Sequence, residues 1–273
     1  MNIIKVQPSN FASLLDTESC DACGNDDSLG FLFSYAYQPI VDTISRQIYA
    51  HEALVRGPKG EPAVQVLSLV NEDNRYRFDQ TCRVKAIKTA TQLGMQSRLS
   101  INFMPNAIYK PEVCIRTTLA AARTHGFPVE QIIFETVEGE RVEDGKWLAD
   151  VLREYKRIGF LTAIDDFGAG FAGLNLLADF QPDIIKLDMD LVRGIHQNRA
   201  RQSIVRCIAR IGDELSIEIL AEGVEKEEEY HCLQSLGIKL MQGYLFSKPL
   251  FETVCKIESI RWPGKDFAPS LTV

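Results

Sequence analysis

Short apolar runs alternate with amphipathic stretches along most of this chain. From about residue 33 onward, eight runs rich in Ile, Val, Leu and Phe predict β-strands. The strands are expected at 33–41, 47–55, 99–104, 131–136, 160–166, 183–188, 217–223 and 238–244. Between most of them, apolar residues recur three and four positions apart, as in Leu148, Val151, Leu152 and Tyr155, which predicts helices.

Eight strands separated by helices predict an α/β fold of the (β/α)8 TIM-barrel type, whose usual size is about 250 residues. One connection departs from this regular pattern, because only the segment DTISR joins the first two strands. Two parallel strands need a connection of about a dozen residues or more, so these two are expected to be antiparallel. The predicted barrel therefore contains one reversed strand.

The pattern divides the chain into an irregular N-terminal segment (1–30), a barrel (31–260) and a C-terminal tail (261–273). The first segment carries a C-x-x-C pair, Cys20 and Cys23, for which free loop thiols, half of a metal site or a redox pair all remain open. The remaining cysteines stand in apolar or helical patterns, which predicts buried thiols: Cys82, Cys114, Cys207, Cys232 and Cys255. Seven scattered cysteines do not resemble a secreted disulfide framework.

Composition and charge narrow the classes of partner. Apolar residues make up 45% of the 273 residues, which is ample for a globular core. Thirty basic against 37 acidic side chains give a net charge of −7, which argues against a nucleic-acid polymer or a membrane surface as the partner. The chain shows no apolar run of signal-peptide or membrane-span length, so we expect a cytoplasmic protein.

Polar side chains stand at or near the ends of these apolar strands. They are Gln38, Glu52, Arg56, Asn102, Glu135, Asp165, Asp166, Lys186, Glu222 and Gln242. In a (β/α)8 barrel the carboxyl ends of the strands form the active-site face. These groups are therefore expected to converge on one mouth, and Glu225 follows just beyond. The acids after Glu225, in the run EKEEE (225–229), are interpreted as a solvated helix start.

Carboxylates crowded into one cleft cannot all ionise without compensation. Divalent cations provide it, and all-oxygen ligands with the Asn102 amide among them favour Mg²⁺ or Mn²⁺ over zinc. The neighbouring Asp165 and Asp166 suit a two-metal site for in-line displacement at phosphorus. Ca²⁺ is expected to inhibit, because it fits a close two-metal geometry poorly. Lys186 serves the reaction, forms a structural salt bridge to Asp166, or does both.

Five motifs in order resemble the EAL family of cyclic di-GMP phosphodiesterases. They are EALVR (52–56), DDFGAG (165–170), DIIKLD (183–188), AEGVE (221–225) and QGYLFSKPL (242–250), within a match over about 33–252. The resemblance implies a (β/α)8-type barrel with one antiparallel strand. It also implies a phosphodiesterase that hydrolyses cyclic di-GMP to linear pGpG with two Mg²⁺ or Mn²⁺ ions, and so lowers a bacterial second messenger.

The resemblance also implies roles for particular residues. The metal ligands would be Glu52, Asn102, Glu135, Asp165, Asp166 and Glu222, with Asp165 bridging both ions. The catalytic set would be Glu52, Lys186, Glu222 and Glu225, in which Lys186 positions or helps deprotonate the attacking water and Glu225 hydrogen-bonds a metal-bound water. The dinucleotide would contact Gln38, Leu54, Arg56 and Gln242, with Arg56 on a phosphate.

Two loops depart from the family pattern. The family usually has Thr two residues after the strand-four glutamate, where this chain has Val137. The loop after Phe167 and Gly168 usually contains a Tyr and serines, and in this chain it continues as Phe171-Ala172-Gly173. Glu138 would brace that loop, which in the family also touches a dimer interface. These differences spare the metal ligands and bear on loop motion and dimerisation.

Three functions remain open at this level. The chain is an active phosphodiesterase, a catalytically silent cyclic di-GMP receptor, or an EAL adaptor that binds a protein partner. The intact ligand set argues most strongly against the adaptor. A homodimer is expected by resemblance, and a regulatory protein partner stays possible because no input domain is recognisable in the sequence.

Overall fold

A computed structural model of the protein describes residues 29–108, 110–137, 145–168 and 173–264. Within these ranges the strands are β1 (Ser34–Asp42), β2 (Gln47–Arg56), β3 (Arg98–Phe103), β4 (Ile132–Val137), β5 (Leu161–Phe167), β6 (Ile184–Leu187), β7 (Glu218–Ala221), β8 (Leu240–Met241) and β9 (Leu250–Phe251). The α-helices in the same ranges are α1 (Ala63–Leu67), α2 (Arg75–Gln92), α3 (Pro111–Cys114), α4 (Arg116–His125), α5 (Gly145–Ile158), α6 (Gly173–Asp179), α7 (Met189–Val192), α8 (Arg199–Leu215) and α9 (Glu227–Ser235).

The strands close into a barrel with one reversed member. Strands β2 to β8 pair in chain order and are all parallel, while β1 lies between β8 and β2 and is antiparallel to both. The short DTISR connection acts as predicted, since it closes a hairpin whose register pairs Asp42 with Gln47. The (β/α)8 barrel with one antiparallel strand is therefore confirmed.

The structure departs from the predicted strands at the end of the barrel. Strand β8 covers two residues where 238–244 was expected. Beyond it, the Gln242 backbone still pairs with Ala221 and Val224, and at Gly243 a Cβ would overlap the Val224 backbone. The short strand β9 was not predicted, and it pairs with β1 outside the barrel at Ala36 and Tyr37.

One apolar layer fills the interior of the barrel, and a larger core lies between the barrel and its helices. The interior layer consists of Ile40, Ala50, Ile133, Ala163, Ile184, Leu220 and Leu240, all buried. On the outer side, α5 buries Leu148, Val151, Leu152 and Tyr155, as its apolar spacing predicts. The barrel thus has a solid floor on which a site can be built.

A buried ion pair joins the helices to the outside of the barrel. The Arg83 guanidinium lies 2.7 Å from the Asp79 carboxylate on the same helix and donates to the Tyr155 hydroxyl at 2.9 Å. Asp79 also accepts from the Met104 backbone N–H at 2.9 Å, at the end of β3. Arg83 is fully buried, so each of these contacts replaces water that the charge has lost.

Replacing Tyr155 with Phe is expected to destabilise the protein by about 1–3 kcal/mol, because one N–H of a buried guanidinium loses its acceptor. Urea denaturation at neutral pH measures this change. Tyr37→Phe is the matched control, since the Tyr37 hydroxyl lies 3.4 Å from the Ala86 carbonyl and gives up a weaker bond. Equal losses in the two variants would contradict the special role of the Arg83 contact.

The described cysteines follow the prediction in part. Cys82, Cys114 and Cys255 are buried, whereas Cys232 is half-buried and Cys207 is exposed on α8. Cys207 stands two positions after the buried Val205, which turns it to the opposite side of the helix. Cys20 and Cys23 lie outside the described residues. In the ranges described, no helix is long and apolar enough to cross a bilayer.

Candidate active site

A polar layer lies directly above the apolar floor of the barrel. Side chains two positions apart on a strand share a face, so each floor residue is followed inside the barrel by a second inward residue. On each strand that supplies a floor residue, the residue two positions away toward the same end of the barrel is polar. These polar residues are Gln38, Glu52, Glu135, Asp165, Lys186, Glu222 and Gln242. Because β1 is reversed, Gln38 precedes Ile40 instead of following it and still meets Glu52 in register.

Lys186 forms the centre of this layer. Its Nζ lies 2.9 Å from Glu135 Oε2, 2.9 Å from Glu222 Oε1, 3.0 Å from Asp165 Oδ1 and 3.6 Å from Glu52 Oε1. The lysine and Glu135 are each 1% exposed, so water does not screen these charges. Four carboxylates surround one ammonium, which leaves an excess of negative charge in a dry site.

Burial and the close charges together raise the pKa values of Glu135, Glu222 and Lys186. Burial raises the pKa of Glu135 to about 8, and the neighbouring Glu52 and Asp165 charges act in the same direction against the attraction of Lys186. Burial likewise raises the pKa of Glu222 well above its usual range. Burial disfavours the Lys186 ammonium, but the surrounding carboxylates outweigh it and raise the lysine pKa. A further positive charge would let all the carboxylates ionise.

Amide side chains hold Glu52 in place from both sides. Asn102 Nδ2 donates to Glu52 Oε1 at 3.1 Å, and Gln242 Nε2 donates to Glu52 Oε2 at 2.8 Å. The Asn102 amide nitrogen is thus engaged in a hydrogen bond within the protein, and the amide oxygen is the atom available as a metal ligand. The Gln242 side-chain oxygen is buried and has no hydrogen-bond partner among the described residues.

Ser100 is a site residue that the sequence analysis missed. Its hydroxyl donates to Glu135 Oε1 through a short hydrogen bond, and its side chain is fully buried. A signal was available, because Ser100 stands two positions before Asn102 on β3 and therefore faces the same interior. The serine fixes the carboxylate that Lys186 holds from the other side.

Asp165 and Asp166 reach the site by different means. Asp165 follows the floor residue Ala163 by strand alternation, which would turn Asp166 to the outside. The register of β5 shifts after Ile164, and Asp166 adopts a left-handed backbone with φ 53°. This bulge brings an Asp166 oxygen within 4.8 Å of oxygens of Asp165 and Glu222.

Two overlapping carboxylate groups fit divalent cations. Oxygen atoms of Glu52, Glu135 and Asp165 lie within 4.8 Å of one another, as do those of Asp165, Asp166 and Glu222. Asp165 belongs to both groups, so one residue joins two adjacent positions for ions. The donor set is entirely oxygen, which suits Mg²⁺ or Mn²⁺ better than zinc.

Above the carboxylates, a cleft of about 300 Å³ opens to solvent. Its walls include the predicted residues Gln38, Leu54, Glu225 and Gln242 together with Met189, Arg193 and Tyr244, which were not predicted. Arg56 lines a more apolar cavity that adjoins the cleft through Leu54 and also reaches Asn102. The Arg193 guanidinium lies 3.9 Å from Glu225 Oε1 at the rim.

The sequence family model for the EAL domain matches residues 30–249. The chain belongs to the EAL family. The crystal structure of a standalone versatile EAL protein from Vibrio cholerae O395, in its c-di-GMP bound form, is 54% identical in sequence. It aligns with a TM-score of 0.81 over 85% of this chain and 97% of that one. A Klebsiella pneumoniae BlrP1 manganese/cy-diGMP complex is 37% identical, with a TM-score of 0.76 over 81% of this chain and 56% of that one.

Curated relatives are longer proteins. The blue light- and temperature-regulated antirepressor BluF of Escherichia coli K12 is 34% identical over 85% of this chain and 57% of its own length. The cyclic di-GMP phosphodiesterase PdeR of the same organism is 28% identical over 86% of this chain and 36% of its own length. The chain thus spans between about a third and somewhat over half of these relatives.

Three residues of this EAL domain were predicted to belong to or brace the loop after β5, and their surroundings differ. Phe167 is buried in the outer core, and Gly168 has φ 102° at a place where a Cβ would lie 2.8 Å from Leu191. The positive φ favours glycine at this position, whereas the Leu191 methyl group is the end of a flexible side chain and can move. Glu138 lies outside the described residues.

The acids after Glu225 are not all solvated, which corrects the sequence interpretation. Glu229 is 2% exposed and accepts backbone N–H groups of Glu225, Lys226 and Gly194. It therefore ties the loop that carries Glu225 to the segment that carries Arg193. As the third residue of α9, Glu229 turns back over the helix start, and the segment that carries Gly194 packs against it from a distant part of the sequence.

Proposed function

We propose that this EAL domain hydrolyses cyclic di-GMP to linear pGpG with two divalent cations, Mg²⁺ or Mn²⁺. The observation that carries the proposal is the pair of carboxylate groups joined at Asp165 around a buried lysine. The relatives support it, since PdeR is named a cyclic di-GMP phosphodiesterase and the Vibrio cholerae protein is described as c-di-GMP bound.

The metal ligands follow from the two groups. Glu52, Glu135 and Asp165 would hold one ion, with the Asn102 oxygen, and Asp165, Asp166 and Glu222 would hold the other. Such ions, when bound, supply positive charge that polarises phosphoryl oxygens and activates water. They also neutralise the excess charge of the polar layer.

Lys186 acts as a hydrogen-bond donor in this proposal. Its Nζ lies 2.9 Å from Glu135 and Glu222 and 3.0 Å from Asp165, at the centre of the carboxylates that would hold the ions. It holds the carboxylates in position and donates toward the water or the developing phosphorane charge. Arg56 would bind a phosphate, while Gln38 and Leu54 would contact the nucleotide and Glu225 would hydrogen-bond a water of the cleft.

A second candidate is a non-catalytic regulator that binds the dinucleotide and signals by contact. The relative BluF is named an antirepressor, which supports a regulatory role that acts by contact. In either case a homodimer and a regulatory protein partner stay predictions.

Incubating the purified protein with cyclic di-GMP tests the proposal. With Mg²⁺ or Mn²⁺ we expect linear pGpG on anion-exchange chromatography, and with EDTA or Ca²⁺ in place of these ions we expect product formation to fall at least about a hundredfold. Unchanged hydrolysis in EDTA would contradict the metal assignment. Tight binding without pGpG in any metal would favour the receptor, and absence of binding would refute both.

A further inference from the structure

An apolar cavity of about 400 Å³ lies next to the cleft, between α1, α2 and the ends of β2 and β3. Its walls include Val55, Leu67, Phe78 and Phe103. Leu54 belongs to the walls of both the cavity and the cleft. A group that occupies the cavity therefore lies against a residue that the proposed function assigns to the dinucleotide.

Helix α1 presents large apolar side chains to solvent beside this cavity. Val64 is 70% and Leu67 is 44% exposed, three positions apart on the helix, and Leu69 just after the helix is 50% exposed. Leu67 also lines the cavity. Exposed apolar side chains grouped around an apolar recess mark a surface to which another segment or protein binds.

The chain that leads into β1 runs along the same cavity. The Phe31 ring lies 6.0 Å and the Phe33 ring 5.3 Å from the ring of Phe78, which lines the cavity. Leu29, the first described residue, is buried. These contacts fix the point from which residues 1–28 extend, and that point lies within a few residues of the cavity wall.

Residues 1–28 contain an apolar face that suits such a surface. Phe11, Leu14 and Leu15 stand three and four positions apart, which is the spacing of one side of a helix. The connection from 16 to 28 contains no Leu, Ile, Val, Met or aromatic residue. A connection of that length spans up to about 43 Å, so the apolar face can reach α1, and the tether raises its effective concentration there to about the millimolar range.

We propose that Phe11, Leu14 and Leu15 dock on α1 and the adjoining cavity of the same chain, as an amphipathic helix binds an apolar groove. A segment in this place limits the access of the dinucleotide to Leu54 and to Arg56, which also lines the cavity. The docking follows from the surface and the tether, whereas its effect on access rests on the proposed function.

Photo-crosslinking of the full chain tests the docking. With p-benzoylphenylalanine at position 11, we expect crosslinked peptides that contain residues 63–70 or residues of α2. A mixture of isotopically light and heavy protein should give crosslinks only within one chain. Crosslinks between light and heavy protein would overturn docking in the same chain and indicate a second copy as the occupant. Absence of crosslinks to this surface would overturn the docking itself.

Hydrogen exchange of two matched variants tests the same contact. Leu14→Asp should raise the exchange rates of the α1 amides by about tenfold or more, because a charge on the apolar face opposes docking. Ser13→Asp places the same charge on the opposite side of that face and should leave the rates at wild-type values. Equal rates in the wild type and in Leu14→Asp would contradict the docking.

Steady-state kinetics test the effect on access. Leu14→Asp is expected to lower KM for cyclic di-GMP about threefold to tenfold, with kcat within about twofold of wild type, since the segment no longer competes with the dinucleotide. Ser13→Asp should match the wild type. An unchanged KM in Leu14→Asp would overturn the effect on access. If neither the wild type nor the variants bind or hydrolyse cyclic di-GMP, the proposed function has failed, and the crosslinks still decide the docking.

Discussion

Replacing Glu52 with Ala is expected to reduce hydrolysis of cyclic di-GMP by about a thousandfold or more, because the carboxylate belongs to the group that would hold one metal ion. The same change removes a negative charge from a crowded, buried centre and leaves Asn102 and Gln242 without their shared acceptor. Loss of repulsion and loss of hydrogen bonds act on stability in opposite directions, so the fold should persist while activity disappears.

Two measurements check this expectation together. The initial rate of pGpG formation reports catalysis, and calorimetric titration with Mn²⁺ reports whether an ion position has been lost. Glu228→Ala is the matched control, since Glu228 is an exposed acid on α9 outside the cleft. Full activity of the Glu52 variant would refute the ligand assignment. A folded, inactive variant with wild-type Mn²⁺ affinity would show that Glu52 serves the reaction without binding the metal.

Strand alternation made much of this site predictable. In a barrel with a filled interior, an inward apolar residue marks the face, and a polar residue two positions further along the strand must lie in the layer above. Ile133 with Glu135 and Ile184 with Lys186 are such pairs. The short connection before β2 determined the reversed strand for an equally local reason, the length of chain that a parallel crossover requires.

Other features depend on contacts that local pattern does not contain. Asp166 reaches the site only because the backbone leaves the β region at one residue, which no alternation rule supplies. Glu229 looks like one of several surface acids along the sequence, and its burial arises from two loops that meet in three dimensions. Arg83 is likewise buried against Tyr155, 72 positions away on another helix. Patterning identifies a face, but partners distant in sequence decide whether a charge on that face is buried.

Lys186→Met is expected to impair the protein in two ways that can be measured separately. Without the ammonium, four carboxylates share a buried centre with no compensating charge, so the metal-free protein should lose about 3–5 kcal/mol of stability. Turnover should fall by about a hundredfold to a thousandfold, because a donor directed at the reacting centre is lost. Thermal unfolding without and with Mn²⁺, followed by kinetics, measures both effects.

Divalent cations distinguish a structural lysine from a functional one. Excess Mn²⁺ should restore much of the lost stability of Lys186→Met, because bound ions compensate the same carboxylates and favour the folded state. If Lys186 also serves the reaction, turnover should stay low under the conditions that restore stability. Full recovery of turnover would reduce the lysine to a structural ion pair. Lys156→Met is the matched control for an exposed ion pair. Lys156 pairs with Asp183 but its side chain is 43% exposed, so this substitution should lower stability by less than about 1 kcal/mol. The contrast between these two lysines rests on burial, because each lies within 3 Å of a carboxylate but only Lys186 does so beyond the reach of water.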